Sequence, residues 1–480
     1  MPWYQKLFLV VVLSCNPVLV LAQPQDEILI RGGEVVTAGG RRAADIRIIG
    51  ATITEIGTGL VARDERTQEI DARDRLVLPG GIDPHVHLGG SRVDDYTSGS
   101  ASALAGGITT ISNFGGVEPG GSPVAASSRA ASLINAQSIA DVIFHPIISD
   151  PATATPDTLA ALADAGQTSI KVFMVRPSFD RNVPGFIDTM HAAHAAGVLL
   201  MLHCEDAAII ETTATRMTAA GMGSLAFFAD ARPVSAEVAA TQRAVAMAEA
   251  TGTPIYIVHL SSARALQIAA DAQARGLPVF VETRPIYLHL TRERFDGPNP
   301  GLYIGQPPLR ESSDQDALWA GIADGTIHVI GSDHVAYTRE EKLDLSQNVA
   351  NHRAGMSNLQ VMLPMIFSEG VRTGRISLER FVEVTATNPA KLFGLYPRKG
   401  VIAVGSDADL VVWSQEETRT IRNEDMFSGS GYSIHAGKVV TGWPTMTLRR
   451  GEMVYQNREI LGSPGSGELL QRTPWQDPRR

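Results

Sequence analysis

Short apolar runs recur along the middle of this chain, and each is followed by an alanine-rich stretch of helical character. Eight such runs occur, at residues 80–87, 108–114, 142–148, 170–174, 198–203, 255–260, 279–282 and 327–330. Strands that alternate with helices predict parallel βαβ units. Eight of them in succession predict an α/β fold of the (β/α)8 TIM-barrel type. An open doubly wound sheet is the alternative, but no Gly-x-Gly-x-x-Gly follows the first run to favour it.

The two ends of the chain differ from the middle. Residues 27–60 alternate apolar and polar side chains between glycine pairs, and the same texture returns at 409–413 and 438–440. We therefore expect a small β-sandwich domain built from both ends. The chain is predicted to have four parts: a signal peptide at 1–22, the composite β domain at 23–79 and 398–460, the barrel at 80–397, and a C-terminal tail at 461–480. The tail is rich in Gly, Ser and Pro, and we interpret it as a linker or as a segment that reaches a neighbouring subunit.

The first 22 residues have the order of a secretory signal peptide. A short start with one lysine precedes an apolar run over 7–21, and small residues at 20–22 offer a cleavage site. The run is too short for a convincing membrane span, an uncleaved anchor helix being the alternative. Leu13 before Ser14 fits poorly with lipid attachment at Cys15. Because the chain also lacks an Asn-x-Ser/Thr acceptor, we expect a secreted or periplasmic bacterial protein.

Composition removes several other classes of protein. Hydrophobic residues make up 44% of the chain and charged residues 19%, which argues against disorder and coiled coil. The net charge is −10 and no basic stripe occurs, so we expect no nucleic-acid partner. Two cysteines exclude a disulfide scaffold for a chain of this length.

Potential metal ligands stand where the predicted barrel strands end, which is where barrel enzymes carry their chemistry. His85 and His87 close the first run, and residues two apart on a strand project the same way, so the pair can bind one metal ion. Four later runs end in one further candidate each: Lys171, His203, His259 and Asp333. Any one of them is explained equally well as a polar residue at a barrel mouth. Their occurrence at five strand ends together favours a metal site.

With these residues in place, the chain resembles the amidohydrolase superfamily, and within it the dihydropyrimidinase/hydantoinase group. The resemblance covers residues 28–472 and is carried by the segments 94–99, 232–237, 282–288, 307–310, 388–394 and 405–409. It implies two divalent metal ions per chain, usually zinc. His85, His87 and Asp333 would bind one ion and His203 and His259 the other. Lys171 would bridge both as N6-carboxylysine, a carbamate formed with carbon dioxide.

The chemistry of a lysine ligand agrees with this assignment. An ammonium group cannot ligate a cation, whereas a carbamate offers two anionic oxygens, and burial favours the neutral amine from which it forms. Two ions sharing a water would lower the pKa of that water towards neutrality. The resemblance implies that the bridging hydroxide attacks an amide carbonyl, with Asp333 as general base and then acid. The expected function is hydrolysis of a C–N bond in a cyclic amide or imide.

The sequence departs from the family pattern around the substrate pocket. Arg176 stands where hydantoinases carry an oxyanion-stabilising tyrosine, and three other positions also differ: Gln306 for a serine, Ala354 for an asparagine, and Arg284 for a small residue. We interpret these four as substrate-contacting positions. Arg176 would stabilise an oxyanion or grip a substrate carboxylate, a solvated surface arginine being the alternative. Together with Arg92 and Arg284 it predicts a cationic mouth suited to an anionic substrate.

Three further expectations follow from the resemblance. Hydrolysis of acyclic amides such as N-acyl amino acids is the close alternative to a cyclic substrate. A non-catalytic scaffold is the alternative from another class, and it is disfavoured because every ligand position is filled. Relatives assemble as homo-oligomers, often tetramers, so we expect a homo-oligomer whose only other partner is a small-molecule amide.

Overall fold

A parallel barrel forms the centre of the molecule. The computed structural model describes residues 27–477. The eight barrel strands, which we number first to eighth, are Gly81–Asp83, Ile108–Gly116, Asp141–Ile147, Ser169–Phe173, Leu199–His203, Ile255–Ile257, Val279–Thr283 and Val329–Ile330. Each pairs in parallel with the next along the chain. Every predicted run therefore forms a strand, and the (β/α)8 barrel is confirmed.

The barrel is nearly closed between its first and eighth strands by a short extra pair. Val86–His87 lies parallel to His334–Val335, with His87 opposite Val335. The backbone N–H of Ser332 also donates to Oδ1 of Asp83, at 3.0 Å. Because this seam lies just beyond the two strands, it brings the segment that carries His87 beside the one that carries Asp333.

Alternation along the strands separates an inner from an outer apolar layer. Leu199 and Met201 point into the barrel with Tyr256, Phe280 and other buried side chains. The residues that alternate with them along the strand, such as Leu200 and Leu202, pack outward against the helices. The free thiol Cys204 belongs to this outer layer, as expected for the neighbour of an inward-facing His203.

Helices and helical turns connect the strands, and many begin at a capping side chain such as Asp95, Ser122 or Ser262. The α-helices are Tyr96–Ala105, Pro123–Gln137, Pro156–Asp164, Pro177–Arg181, Val183–Ala195, Ala207–Ala219, Phe228–Ala231, Val234–Thr251, Ala263–Ala274, Pro285–His289, Ser312–Asp324, Arg339–Lys342, Met362–Ile366, Leu378–Val382 and Asn388–Leu392. Shorter 3-10 and π turns are Pro151–Thr153, Leu225–Phe227, Arg292–Asp296, Pro300–Tyr303, Leu359–Val361, Phe367–Val371, Glu383–Thr387 and Asn423–Asp425.

The two chain ends form one separate mixed sheet, the expected β-sandwich domain. Its nine strands are Glu27–Thr37, Gly40–Ile49, Thr52–Gly57, Gln68–Asp71, Leu76–Pro79, Leu410–Thr420, Val439–Arg449, Glu452–Gln456 and Glu459–Ile460. The ends join where Leu76–Pro79 pairs antiparallel with Leu410–Thr420, Leu410 lying opposite Pro79. A second core of isoleucine, valine and leucine fills this domain.

A buried charge cluster ties the β domain to the barrel. Nζ of Lys399 lies 2.8 Å from Oδ2 of Asp141, which begins the third barrel strand, and 2.6 Å from Oδ2 of Asp409. Asp409 also accepts from Thr109 at 3.0 Å. The segment 405–409, which ends at Asp409, therefore leads the chain from the barrel into the β-domain strand Leu410–Thr420.

The C-terminal segment packs on its own barrel, whereas the sequence suggested a linker or a segment that reaches a neighbouring subunit. Leu470 is buried in the barrel's inner cluster, and the backbone N–H of Leu470 donates to the carbonyl of Val142 at 2.8 Å. Arg472 donates to Oγ of Ser169 at 2.8 Å and to the carbonyl of Phe144 at 3.0 Å. The segment therefore covers the amino-terminal ends of the strands, opposite the predicted metal site.

Nothing among residues 27–477 forms a helix long and apolar enough to cross a membrane. The predicted signal peptide at 1–22 and Cys15 lie outside the described residues.

Candidate metal centre

Three predicted ligands converge at the seam of the barrel. Oδ1 of Asp333 lies 3.2 Å from Nε2 of His85 and 3.2 Å from Nε2 of His87. One ligand atom from each of the three residues lies within 4.8 Å of the others, and all three residues are buried. Two imidazoles and a carboxylate that face one point make a donor set suited to a divalent cation.

A second pair of imidazoles lies beside the first. The ring centroids of His203 and His259 are 4.5 Å apart, and His259 lies 5.4 Å from His85. Nδ1 of His259 is buried and has no hydrogen-bond partner among residues 27–477. A buried polar atom without a partner is costly, so this nitrogen is placed to receive a ligand.

The Lys171 amine is another buried group without a hydrogen-bond partner in the described part of the chain. Its Nζ lies 5.2 Å from the ring centroid of Phe114 and 5.0 Å from that of Phe173. Burial lowers the pKa of Lys171 to about 7, although Glu282 and Asp333 pull it upward. The neutral amine that burial favours is the form that reacts with carbon dioxide.

Two glutamates orient the imidazoles, and neither was singled out from the sequence. Glu282 accepts from Nδ1 of His85 at 2.7 Å and from the backbone N–H of His259 at 3.0 Å. Glu205 lies 2.7 Å from Nε2 of His203. These contacts leave Nε2 of His85 and Nδ1 of His203 for a ligand. Their positions in the sequence could have indicated this role, because Glu282 lies near the end of the seventh strand and Glu205 follows His203 by two residues.

The charge of Glu205 is set by its neighbours. Burial alone would raise the pKa of Glu205, but the guanidinium of Arg232 and the hydrogen bond with His203 bring it to about 2. Arg232 donates to both carboxylate oxygens, at 3.1 and 2.5 Å. The glutamate is therefore an anion that can hold the imidazole in one tautomer.

Two ligands adopt backbone conformations that strand geometry does not provide. His259 has φ of 41° and Asp333 has φ of 45°, in the left-handed region. Val258 points into the barrel core, so simple alternation would turn His259 outward. The left-handed backbone conformation turns the His259 side chain towards the cavity instead. Such a conformation costs of order 1–3 kcal/mol of free energy, which the surrounding packing must offset.

The donor set as a whole fits two divalent ions. It comprises four imidazoles, of which His85 and His203 are oriented by glutamates, one carboxylate, and a buried amine able to become a two-oxygen carbamate. Among residues 27–477, two of its donor atoms, Nζ of Lys171 and Nδ1 of His259, lack partners. Both atoms are therefore available to a ligand.

The candidate substrate residues divide into two groups. Arg176, Gln306 and Ala354 line a cavity of about 200 Å³ that also contains the four imidazoles and Asp333. Arg284 does not line it, which differs from the expectation of substrate contact. This arginine is fully buried, with Nη1 3.0 Å from Oδ2 of Asp333 and Nη2 donating to the Asp333 carbonyl at 3.2 Å. Arg284 therefore acts on the site through Asp333.

The same arginine controls the charge of the Asp333 carboxyl group. Burial would raise the pKa of Asp333, but Arg284 and the adjacent imidazoles hold it well below its usual range. Asp333 is consequently an anion that can ligate a cation and accept a proton.

The fold and the site together define a (β/α)8 barrel with a buried, hydrolase-type metal centre at the carboxyl ends of its strands. The sequence matches the Amidohydrolase family over residues 76–454. It is 35% identical over 457 residues to a D-hydantoinase of Ralstonia pickettii, covering 93% of this chain and 99% of the relative. The chain belongs to the amidohydrolase family, so the predicted family and class of enzyme are confirmed.

Solved structures agree with the sequence comparison. The dihydropyrimidinase of Brevibacillus agri is similar with a TM-score of 0.89 at 34% identity, over 94% of this chain and 100% of that one. A D-hydantoinase of a Bacillus species is similar with a TM-score of 0.90 at 35% identity, with the same coverage. The likeness therefore extends over the barrel and the β domain together.

Proposed function

We propose that this protein is a metal-dependent hydrolase that cleaves a carbon–nitrogen bond of a cyclic amide or imide. The observation that carries the proposal is the convergence of four imidazoles, the Asp333 carboxylate and the unpartnered Lys171 amine at one barrel mouth. The activities named for its relatives, hydantoinase and dihydropyrimidinase, favour a cyclic substrate.

Two divalent ions, taken as zinc, complete the proposed site. His85, His87 and Asp333 would hold one ion and His203 and His259 the other, while Lys171 as N6-carboxylysine would give one oxygen to each. When bound, the ions supply a water of lowered pKa and polarise the carbonyl oxygen. The carbamate is favoured because the amine is buried beside the other donors and makes no competing hydrogen bond.

Asp333 moves the proton in this scheme. Its carboxylate faces the cavity and is held from behind by Arg284, 3.0 Å away. As the oxygen of water bonds to the carbonyl carbon, Asp333 takes one proton from that water. It returns the proton to the amide nitrogen as the C–N bond breaks, so the ring opens to a carboxylic acid and an N–H group.

A second candidate is hydrolysis of acyclic amides such as N-acyl amino acids. The observation that favours it is the presence of Arg92 and Arg176 in the cavity lining. An N-acyl amino acid carries a carboxylate beside its amide, which an arginine would bind.

A hydrolysis screen separates the two candidates. The metal-loaded protein is offered hydantoins, dihydrouracil, imides and N-acyl amino acids, and product is measured by chromatography. We expect turnover of at least one cyclic compound. Turnover of N-acyl amino acids alone would transfer the proposal to the second candidate, and no turnover of any amide would overturn both.

We also propose export and self-association, which rest on the sequence and the family. Residues 1–22 have the signal-peptide order described above, and mass spectrometry of periplasmic protein should find an amino terminus near residue 23. An intact Met1 in cytoplasmic protein would contradict export. Sedimentation should give a homo-oligomer, with the tetramer as the expected state, and a monomer at micromolar concentration would contradict it.

A further inference from the structure

Two arginines line the cavity that holds the candidate metal ligands. Arg92 follows the first barrel strand and Arg176 follows the fourth, so they approach the cavity from different sides of the barrel. Among residues 27–477, the one acidic side chain that lines the cavity is Asp333, which already contacts two imidazoles and Arg284. The lining therefore presents two cationic groups and no carboxylate that is free to pair with them.

Neither arginine has a carboxylate within ion-pair distance among residues 27–477. The guanidinium of Arg176 donates to Oγ of Ser149 at 2.7 Å and lies 4.5 Å from the centroid of the Phe173 ring. Arg92 donates from Nη1 to the carbonyl of Gly89 at 3.2 Å, and its Nε is buried without a partner. In the described part of the chain, each guanidinium therefore makes one hydrogen bond to an uncharged oxygen and keeps further N–H donors available.

Other arginines near this end of the barrel are paired. Arg232 binds Glu205, Arg284 binds Asp333, and Arg310 lies 3.6 Å from Glu237. At the rim, Arg353 lies 3.9 Å from Glu341. A guanidinium group matches a carboxylate in geometry and charge. Arg92 is half-buried and Arg176 is exposed, and both line the same cavity without a carboxylate partner in the described part of the chain, which indicates an anionic ligand.

We infer that the substrate of this site is an amide that carries a carboxylate elsewhere in the molecule, and that Arg92 and Arg176 bind that carboxylate while the amide lies at the metal ligands. This inference rests on the proposed function and deepens it by naming the substrate class. It also gives Arg176 a role different from that of the tyrosine it replaces, since a group that binds the carboxylate sets preference between substrates.

The test uses two hydantoins of nearly equal size and shape that differ in charge. One carries a 5-carboxyethyl group and the other the isosteric 5-carbamoylethyl group, and kcat/KM is measured for both with the metal-loaded protein. We expect kcat/KM of the wild type to be about 10- to 100-fold higher for the acid than for the neutral amide. This ratio corresponds to the free energy of a hydrogen bond to a charged group. Arg176→Gln and Arg92→Gln should each lower kcat/KM for the acid more than for the neutral amide, so that most of that preference is lost.

The matched control is Arg353→Gln, which removes a rim arginine that pairs with Glu341 and does not line the cavity. It should keep the full preference for the acid. Equal kcat/KM for the two hydantoins in wild type would overturn the inference. So would an equal fall on both substrates in Arg176→Gln, because that result assigns Arg176 to the reacting carbonyl.

A binding measurement keeps the test independent of turnover. Calorimetry compares 3-cyclopentylpropionate with 3-cyclopentylpropan-1-ol, which contain no amide. The acid should bind wild type at least tenfold more tightly than the alcohol, and the difference should shrink in both arginine variants but not in Arg353→Gln. A difference that persists in both variants would overturn the inference. Failure to hydrolyse any amide would instead count against the proposed function, and calorimetry would still decide which charge the cavity binds.

Discussion

Replacement of Arg284 tests whether the buried arginine holds Asp333 in its working position. The guanidinium lies 3.0 Å from Oδ2 of Asp333 and also donates to the carbonyls of Asp333 and Ser332, at 3.2 and 3.3 Å. Arg284→Met keeps much of the side-chain length but removes the charge and every one of these contacts. Asp333 is then left as a buried carboxylate whose remaining partners are two imidazoles and the proposed metal ion.

The size of the effect follows from the burial of the pair. Removing one partner of a buried ion pair costs about 3–5 kcal/mol. Asp333 keeps 8% of its surface exposed, so we take the lower part of that range. If this free energy positions the carboxylate for proton transfer, kcat/KM falls by about 10²- to 10³-fold, since each 1.4 kcal/mol is a factor of about ten. Arg284→Lys should fall between this variant and wild type because a lysine retains the charge but not the fork.

Arg472→Met is the matched control. Arg472 is also a buried arginine that donates to a hydroxyl and a carbonyl, but it lies at the amino-terminal ends of the strands. Both variants should lose thermal stability, and only Arg284→Met should lose kcat/KM at equal metal content. An Arg284→Met protein within threefold of wild-type kcat/KM would refute the positioning role.

Three other perturbations have defined outcomes. Asp333→Asn should lower kcat by about 10²- to 10⁴-fold in rate assays at matched metal content, because the amide cannot accept the proton. Lys399→Met should cost about 3–5 kcal/mol of unfolding free energy in chemical denaturation, since it removes the cation that Asp141 and Asp409 share and leaves Asp141 with Arg450, 3.4 Å away. It should leave kcat unchanged. Burial opposes the charge on Glu369, but hydrogen bonds from His289 and Lys438 lower its pKa to about 2. The stability from that carboxylate is therefore present above about pH 4.5 and lost as pH falls towards 2, so the melting temperature of Glu369→Gln should vary less in that window.

The barrel was predictable because its signals are local. Each strand is a short apolar run, and each ligand closes such a run. Alternation along the fourth and fifth strands places Lys171 and His203 on inward positions. The C-terminal segment was not predictable in this way. Its contacts join residues far apart in sequence, as when Gln167 donates to the carbonyl of Leu470 at 3.1 Å. A polar, glycine-rich sequence carries no local signal for such a contact.

Some residues of the site could likewise be placed from the local sequence, and others could not. Lys171 and His203 follow strand alternation, but His259 reaches the cavity through a left-handed backbone turn that alternation does not anticipate. Arg284 ends a strand as the ligands do, and the sequence alone cannot tell whether such a residue faces the cavity or lies behind a neighbour. That distinction depends on Asp333, which is 49 residues away along the chain.

Metal content measured together with activity is the most direct test of a binuclear hydrolytic site. Elemental analysis of the purified protein should find two divalent ions per chain. Removal of both ions by a chelator should abolish amide hydrolysis, and return of zinc should restore it. A protein that purifies without metal and hydrolyses no amide after zinc is added, or one whose rate is unchanged when its metal is removed, would contradict the assignment of these residues to a metal centre.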